Sequence, residues 1–348
     1  KSLVLEGKGE VVGNLVAGRL TGGGVGFFYF GEYFEAQPLI EIADPEVSPK
    51  RQWWVDGVSY GVILAESLEL KEKLAAYGDT LVYTLSNPSS SKVRLRLTGG
   101  IQAFNRFNPD FRRKIAQLAA VRFEYSRGYL RGVYGGGYWL CLGSDRGLRV
   151  EVESDQATYE VEPELDAGGS IIFAVAGASS ETEAKRRVEG ALADPSKIEE
   201  DRKRQVESML EKIPRLSGTK PRYEQLWKFM WYVILSNRVS IWGHPVLTNP
   251  FKMPSKFEFR HQWLWDSAFH AIVLAEYNVG MAEEELLNLF AAHKPDGRIP
   301  HEVFLSKEFC SLSWKVDGYS PWTTQPPVLG IAVKRIIGTP TRISLWLT

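Results

Sequence analysis

The chain has 348 residues, 44% of them hydrophobic and 24% charged, with 42 basic and 42 acidic side chains. That length predicts two domains, the composition excludes wholesale disorder, and the balanced charge leaves no footprint for nucleic acid or an anionic membrane. No apolar run approaches the roughly 18 residues that cross a bilayer. The two cysteines, Cys141 and Cys310, form no Cys-x-x-Cys pair, which argues against a disulfide scaffold or a structural zinc site. A reducing cytoplasm is the expectation from cysteine usage, although a chain that begins at Lys1 is compatible with a removed leader.

Residues 1–180 read as an antiparallel β-sandwich domain. Short runs rich in Val, Tyr, Phe and Leu recur between breakers at 26–34, 57–64, 80–85, 92–97, 121–125 and 158–164. Val93-Arg94-Leu95-Arg96-Leu97 and Leu148-Arg149-Val150-Glu151-Val152 alternate with period two, so each predicts a strand with one buried face. The stretch 171–176 is continuously apolar and predicts a strand covered on both faces. A short helix near 112–120 is expected as a surface excursion. Residues 181–220 carry Glu, Lys, Arg and Asp in mixed sign and predict a charged helical linker, interrupted at Asp194-Pro195.

Residues 221–348 read as helices. The stretch 223–239 is apolar nearly all round and predicts a helix sandwiched between others. A second helix is expected over 265–277, ended by Asn278 and Gly280. A third spans 282–293, with Glu283, Glu284 and Glu285 in its first turn. Pro295-Asp296-Gly297 predicts a turn, and Pro326-Pro327 opens a fourth helix over 328–337.

The chemistry concentrates in this half. Seven of the 11 tryptophans lie between Trp227 and Trp322, and all five histidines (His244, His261, His270, His293, His301) fall in the same stretch. Indoles stack on ligands and imidazoles supply hydrogen bonds, although a Trp-rich helical core has the same composition. Trp263, Trp265, Asp266, His301, Glu302 and Gln325 form the mixture a sugar site needs: carboxylates and amides for hydroxyl pairs, indoles for the apolar ring face. For Asp266 a structural role stays open, as a dipole partner at a helix start or as a pair with His270 four residues on. His301-Glu302 is followed by Val303, so the zinc-protease spacing is absent; so are the nucleophile-elbow and phosphate-loop motifs. No metal and no cofactor are expected, and Gly135-Gly136-Gly137 reads as a loop.

Three segments, Trp265-Asp266-Ser267-Ala268-Phe269-His270, Gly297-Arg298-Ile299-Pro300-His301-Glu302 and Thr324-Gln325-Pro326-Pro327, together resemble the (α/α)6-barrel glycoside hydrolases. The nearest types are family 63 and the mannosylglycerate hydrolase-like group, with trehalases more distant. The resemblance implies an N-terminal antiparallel β-sandwich followed by the first helices of an (α/α)6 toroid. It also implies inverting hydrolysis of an α-glucosidic or α-mannosidic bond by one carboxylic acid and one carboxylate base. Trp265 and Asp266 would line the sugar subsite, with His301 and Gln325 beside them; Glu302 ends the second segment and Trp263 stands two residues before the first. Trehalose is not the implied substrate: His301 and Thr323 replace a trehalase Asn and Arg, and Glu258 falls where a sugar-binding Arg stands.

The family's acid lies in a Glu-Ser-Gly-x-Asp-type segment and its base later still; neither is found here. Twelve helices need roughly 200 residues or more, and fewer follow Pro221. The expectation is therefore a C-terminally truncated chain, inactive as it stands, with its catalytic pair beyond Thr348. The expected partner is a carbohydrate, with no nucleic acid and no membrane. Two alternatives are a carbohydrate-binding module without catalysis and an interaction protein whose partner supplies the missing helices.

Overall fold

The computed structural model describes residues 5–7, 15–19, 25–36, 38–43, 48–52, 57–65, 68–104, 109–135, 137–255 and 259–338. Glu258, Gly136 and the terminal residues 339–348 lie outside them. The described residues form antiparallel sheets followed by helices, in two compact units that divide after Val206.

The first unit holds two eight-stranded sheets. One runs Leu5–Gly7, Leu15–Arg19, Val25–Phe30, Phe34–Ala36, Leu97–Ala103, Gln156–Val161, Arg149–Val152, with Glu41–Ile42 beside Leu97–Ala103. The other runs Arg122–Ser126, Tyr129–Tyr134, Tyr138–Ser144, Ser170–Ala178, Thr80–Ser86, Leu68–Tyr77, Ser59–Ala65, Ser48–Gln52. Their ladders are antiparallel. Phe34, Leu97 and Ile101 from the first sheet meet Leu74, Tyr83, Leu140 and Phe173 from the second in one core. The short helix expected near 112–120 is α1 (Pro109–Leu118). Alternation does its work at Leu95 and Leu97, which are buried, while Arg94 and Arg96 face solvent and pair with Glu162 and Glu160.

The apolar strand Ser170–Ala178 is covered twice. Ile171, Phe173 and Val175 point into the sandwich, and Ala174, Ala176 and Ala178 lie under α2 (Glu181–Ala193), against Ala184, Val188 and Ala191. This corrects the expected linker over 181–220. Ser180 caps α2 by accepting from the Glu183 amide, and the small residues at helical spacing dock the helix on the sheet. The charges occupy its outer side, with Glu183 pairing Arg186 and Arg187. The division between the units falls inside α3 (Pro195–Glu211), so residues up to Val206 belong to the β-rich unit.

In the second unit the helices are α4 (Pro221–Ser236), α5 (Leu264–Leu274), α6 (Val279–Ala291), α7 (Lys307–Trp314) and α8 (Leu329–Ile337). Four answer the expected ones; α7 was not anticipated. Helix α4 is not sandwiched among the described residues. Trp231, Tyr232 and Leu235 are buried, but Tyr223, Leu226, Met230 and Val233 share one stripe that is exposed, Leu226 by 52% and Met230 by 55%. Asn278 opens α6 rather than merely ending α5: its side chain accepts from the Met281 amide. The helix thus starts at Val279, and Glu283, Glu284 and Glu285 fall beyond its first turn. Two short ladders brace the unit, Arg238–Val239 with Phe251–Lys252 and Gln262–Trp263 with Glu302–Val303. Among the described residues no helix is long and apolar enough to cross a membrane, and no group of three or more His, Cys, Asp or Glu could hold a metal ion.

Candidate functional site

The three motif segments meet at the start of α5. The ladder sets Trp263 opposite Glu302, and the Leu264 amide donates to the His301 carbonyl at 2.9 Å. The His301 amide donates in turn to the Thr323 carbonyl at 2.9 Å, and the Thr324 hydroxyl donates to the Ile299 carbonyl at 2.7 Å. The predicted turn at Pro295-Asp296-Gly297 forms, with Gly297 at φ +83° and its amide donating to Lys294. Arg298 leaves that turn to donate to the Trp322 carbonyl at 2.9 Å and lies over the Trp322 ring, 5.8 Å from its centroid. The Trp322 ring is half exposed. Trp263 stands at the N-cap of α5 and has no side-chain cap bond to offer. Gln325 supplies it from outside the helix: its Oε1 accepts from the Trp265 amide at 3.1 Å, satisfying one orphan donor of the first turn.

Glu302 is the electrostatic centre of the site. It is only 4% exposed, and both oxygens are engaged. Oε2 lies 2.7 Å from His261 Nδ1, and Oε1 lies 3.0 Å from His301 Nε2 and accepts from the Trp314 indole N–H at 3.2 Å. Burial alone would raise its pKa, but the hydrogen bonds and charge of the two imidazoles outweigh burial and hold it at about 2. A carboxylate only accepts, so His261 carries its proton on Nδ1 and His301 on Nε2. His301 Nδ1 lies against the Thr323 hydroxyl, which fixes the other edge of the ring. The ring of His301 sits between Trp263 and Trp314, at 5.5 and 5.4 Å. His261 packs on Phe304 at 3.9 Å. Below it, His244 Nδ1 accepts from the Val246 and Leu247 amides, so Nε2 carries the proton and donates to the Phe304 carbonyl at 2.9 Å.

Asp266 occupies the first turn of α5 and is partly buried, which raises its pKa; its own amide and Trp265 oppose that more weakly. The suggested pair with His270 does not form. His270 Nδ1 is buried without a hydrogen-bond partner, and burial, with the Lys252 charge adding to it, pushes the imidazole down to about 3. A neutral His270 gives Asp266 no ion pair.

All six residues singled out in the sequence therefore gather at one helix end, with different duties. Glu302 is spent on two imidazoles and an indole, and Gln325 lends its oxygen to the backbone. Trp265 remains half exposed and Asp266 partly so. Sequence reasoning did not single out His261, Trp314 or Trp322 as site residues. For His261 a signal existed: it precedes Trp263 by two in an extended segment, which puts both side chains on one face.

Residues 259–342 match the family model of the mannosylglycerate hydrolase MGH1-like glycoside hydrolase domain. The helical part of the chain is similar to the MGH1-like glycoside hydrolases. Over 100 residues the chain is 38% identical to the glucosylglycerate hydrolase of Mycolicibacterium hassiacum, a stretch covering 23% of this chain and 21% of that protein. Over 94 residues it is 35% identical to mannosylglycerate hydrolase MGH1 of Selaginella moellendorffii, covering 25% of this chain and 19% of that protein. The chain spans about a fifth of the length of these curated relatives. In fold it is similar to a bacterial glucoamylase solved with acarbose, at a TM-score of 0.63 and 11% identity, over 91% of this chain and 52% of that one. The MGH1-like match contains all six site residues, whereas the glucoamylase likeness concerns the fold of the sheets and helices.

Proposed function

We propose that this chain carries the sugar-recognition part of an inverting α-glycoside hydrolase, in the first helices of an (α/α)6 toroid, acting on a glycosylglycerate or a similar small α-glycoside. The observation that carries the reading is the convergence of Trp265, Asp266 and His301 at the α5 start, held by the Glu302 clasp. Trp265 offers its face to a pyranose ring, and Asp266 accepts from a hydroxyl pair. His301, its orientation set by Glu302 and Thr323, gives one further polar contact. Glu302 is not the acid, because a carboxyl held at about 2 has no proton to give near neutral pH, and it is poorly placed as the base, because both its oxygens already accept from His261, His301 and Trp314. Asp266 binds rather than titrates in the reaction, so the acid and base of inversion are other carboxyls, roughly 6.5–9.5 Å apart across a water.

The test is calorimetry of the purified chain with glucosylglycerate, mannosylglycerate and the free sugars. The chain should bind at least one of them, and Asp266→Asn should weaken that binding about tenfold, the worth of one charged hydrogen bond. In any preparation that turns substrate over, the limbs of the pH profile should survive Asp266→Asn. Loss of a limb, or binding untouched by the substitution, overturns the assignment.

A second reading, a carbohydrate-binding module that depends on a partner, is favoured by the exposed stripes Leu226, Met230, Val233 on α4 and Trp265, Phe269, Val273 on α5. Helices from another chain would cover them. A monodisperse monomer in light scattering, soluble at high concentration, counts against it.

A further inference from the structure

Around the α5 start lies a second polar cluster that the sugar reading does not use. Gln262 is fully buried. Its amide NH2 donates to Ser267 Oγ at 3.2 Å and to the Glu285 carbonyl at 2.6 Å, tying the Gln262–Trp263 strand to α5 and α6 at once. Its Oε1 has no hydrogen-bond partner in the protein, and neither has either carboxylate oxygen of Glu285 nor Nδ1 of His270. Glu285 is 1% exposed. Ser267 and the Lys252 amide lean toward its carboxylate without reaching hydrogen-bond geometry, and the fully buried Lys252 sets the local field for both Glu285 and His270. Arg238, paired with Glu284, adds a further positive charge nearby.

These four buried polar atoms, with Gln262 and Glu285 joined through Ser267 and His270 linked to Glu285 by the Lys252 charge that acts on both, point to ordered solvent, because such atoms are almost always satisfied by protein or water. The balance of donors and acceptors chooses the ligand. Three of the four are oxygens, two of them on one carboxyl, which disfavours an anion. The charges of Lys252 and Arg238 oppose a metal cation, and no three metal-binding side chains meet among the described residues. Water donates two hydrogen bonds and accepts two, which matches oxygens on Gln262 and Glu285 together with an imidazole nitrogen. We propose that Gln262, Glu285 and His270 enclose a site for ordered water on the inner side of α5, and that this water is a structural ligand fixing the first turn of the helix. Gln262 adjoins Trp263 and Ser267 adjoins Asp266, so the solvent site holds the backbone on which those two side chains stand.

The proposal is independent of the sugar reading, since neither readout involves a sugar. Crystals of the protein that resolve ordered solvent should show a fully enclosed water within hydrogen-bond distance of Gln262 Oε1 and a Glu285 oxygen. A Glu285 carboxylate turned to bond Ser267 and Lys252 directly, with no solvent peak between, overturns it. In solution, oxygen-17 relaxation dispersion should count at least one long-lived water fewer in Glu285→Met, whose apolar side chain fills the site. An unchanged count in folded Glu285→Met also overturns the proposal. Should that variant fail to fold, the crystal measurement decides.

Discussion

Replacing Glu302 by Gln keeps the shape of the side chain and removes its charge, so it isolates what the two-histidine clasp contributes. The wild-type carboxylate meets His261 at 2.7 Å, His301 at 3.0 Å and the Trp314 indole at 3.2 Å. An amide offers one oxygen for these three donors and turns an NH2 toward one of them. Two routes give the magnitude. A carboxyl held at about 2 rather than 4.5 contributes roughly 3 kcal/mol at neutral pH, from about 1.4 kcal/mol per tenfold change. Hydrogen bonds to a charged group contribute about 1.5–3 kcal/mol, and breaking a buried charged pair costs about 3–5 kcal/mol. Glu302→Gln should therefore destabilise the helical unit by about 3 kcal/mol at pH 7. The folded pKa is depressed, so this stability is present above the unfolded value near 4.5 and is lost as pH falls toward about 2. Urea denaturation followed by tryptophan fluorescence at pH 7, 5 and 3 checks both points. A loss below about 1 kcal/mol at pH 7, or a gap between the proteins as wide at pH 3 as at pH 7, refutes the account of Glu302 as an ionised anchor.

Glu285 has the opposite sign: burial, opposed more weakly by Lys252, raises its pKa to about 7, so the folded state favours the protonated form. Its contribution should fall as pH rises from about 4.5 to 7 and stay level above, and Glu285→Gln should melt higher than wild type at pH 8 but not at pH 5. Gln325→Ala removes the acceptor for the Trp265 amide and should cost about 1 kcal/mol in chemical denaturation. Gly99→Ala should unfold or strongly destabilise the β-rich unit, because an added Cβ would stand 2.0 Å from the Leu39 carbonyl oxygen, a backbone atom that cannot swing away. A thermal melt within a degree or two of wild type would contradict that close approach.

Much of this was legible locally. The division into a β half and a helical half follows from a change of hydrophobic period, and both periods are properties of neighbouring residues. The twofold cover of Ser170–Ala178 was readable because an uninterrupted apolar strand has no wet face. Motif residues close in sequence to a helix start, Trp265 and Asp266, carried their position with them. Other features were hidden because local signals competed or were missing. Leu68–Tyr77 is built from Leu, Glu, Lys and Ala, good helix formers, yet it is a ten-residue strand because strands on either side pair with it. Helix α7 ends at Lys315 in the left-handed conformation, where a glycine stop is the readable sign. The charges of α2 masked a stripe of small residues narrow enough to lie flat on a sheet.

The sequence by itself determined which residue types the site contains and that they cluster at helix ends, since ring faces, carboxylates and amides are read one residue at a time. Only the tertiary structure decided their duties. Glu302 and His261 are 41 residues apart, and whether a carboxylate faces a ligand or two imidazoles depends on a ladder that brings the segments together. Glu285 read as a first-turn charge, whereas the Asn278 cap starts the helix at Val279 and the Glu285 side chain is buried. The physical reason is the same for both. A side chain's chemistry is intrinsic, but its protonation and its free lone pairs are set by burial and by neighbours, and these come from distant parts of the chain.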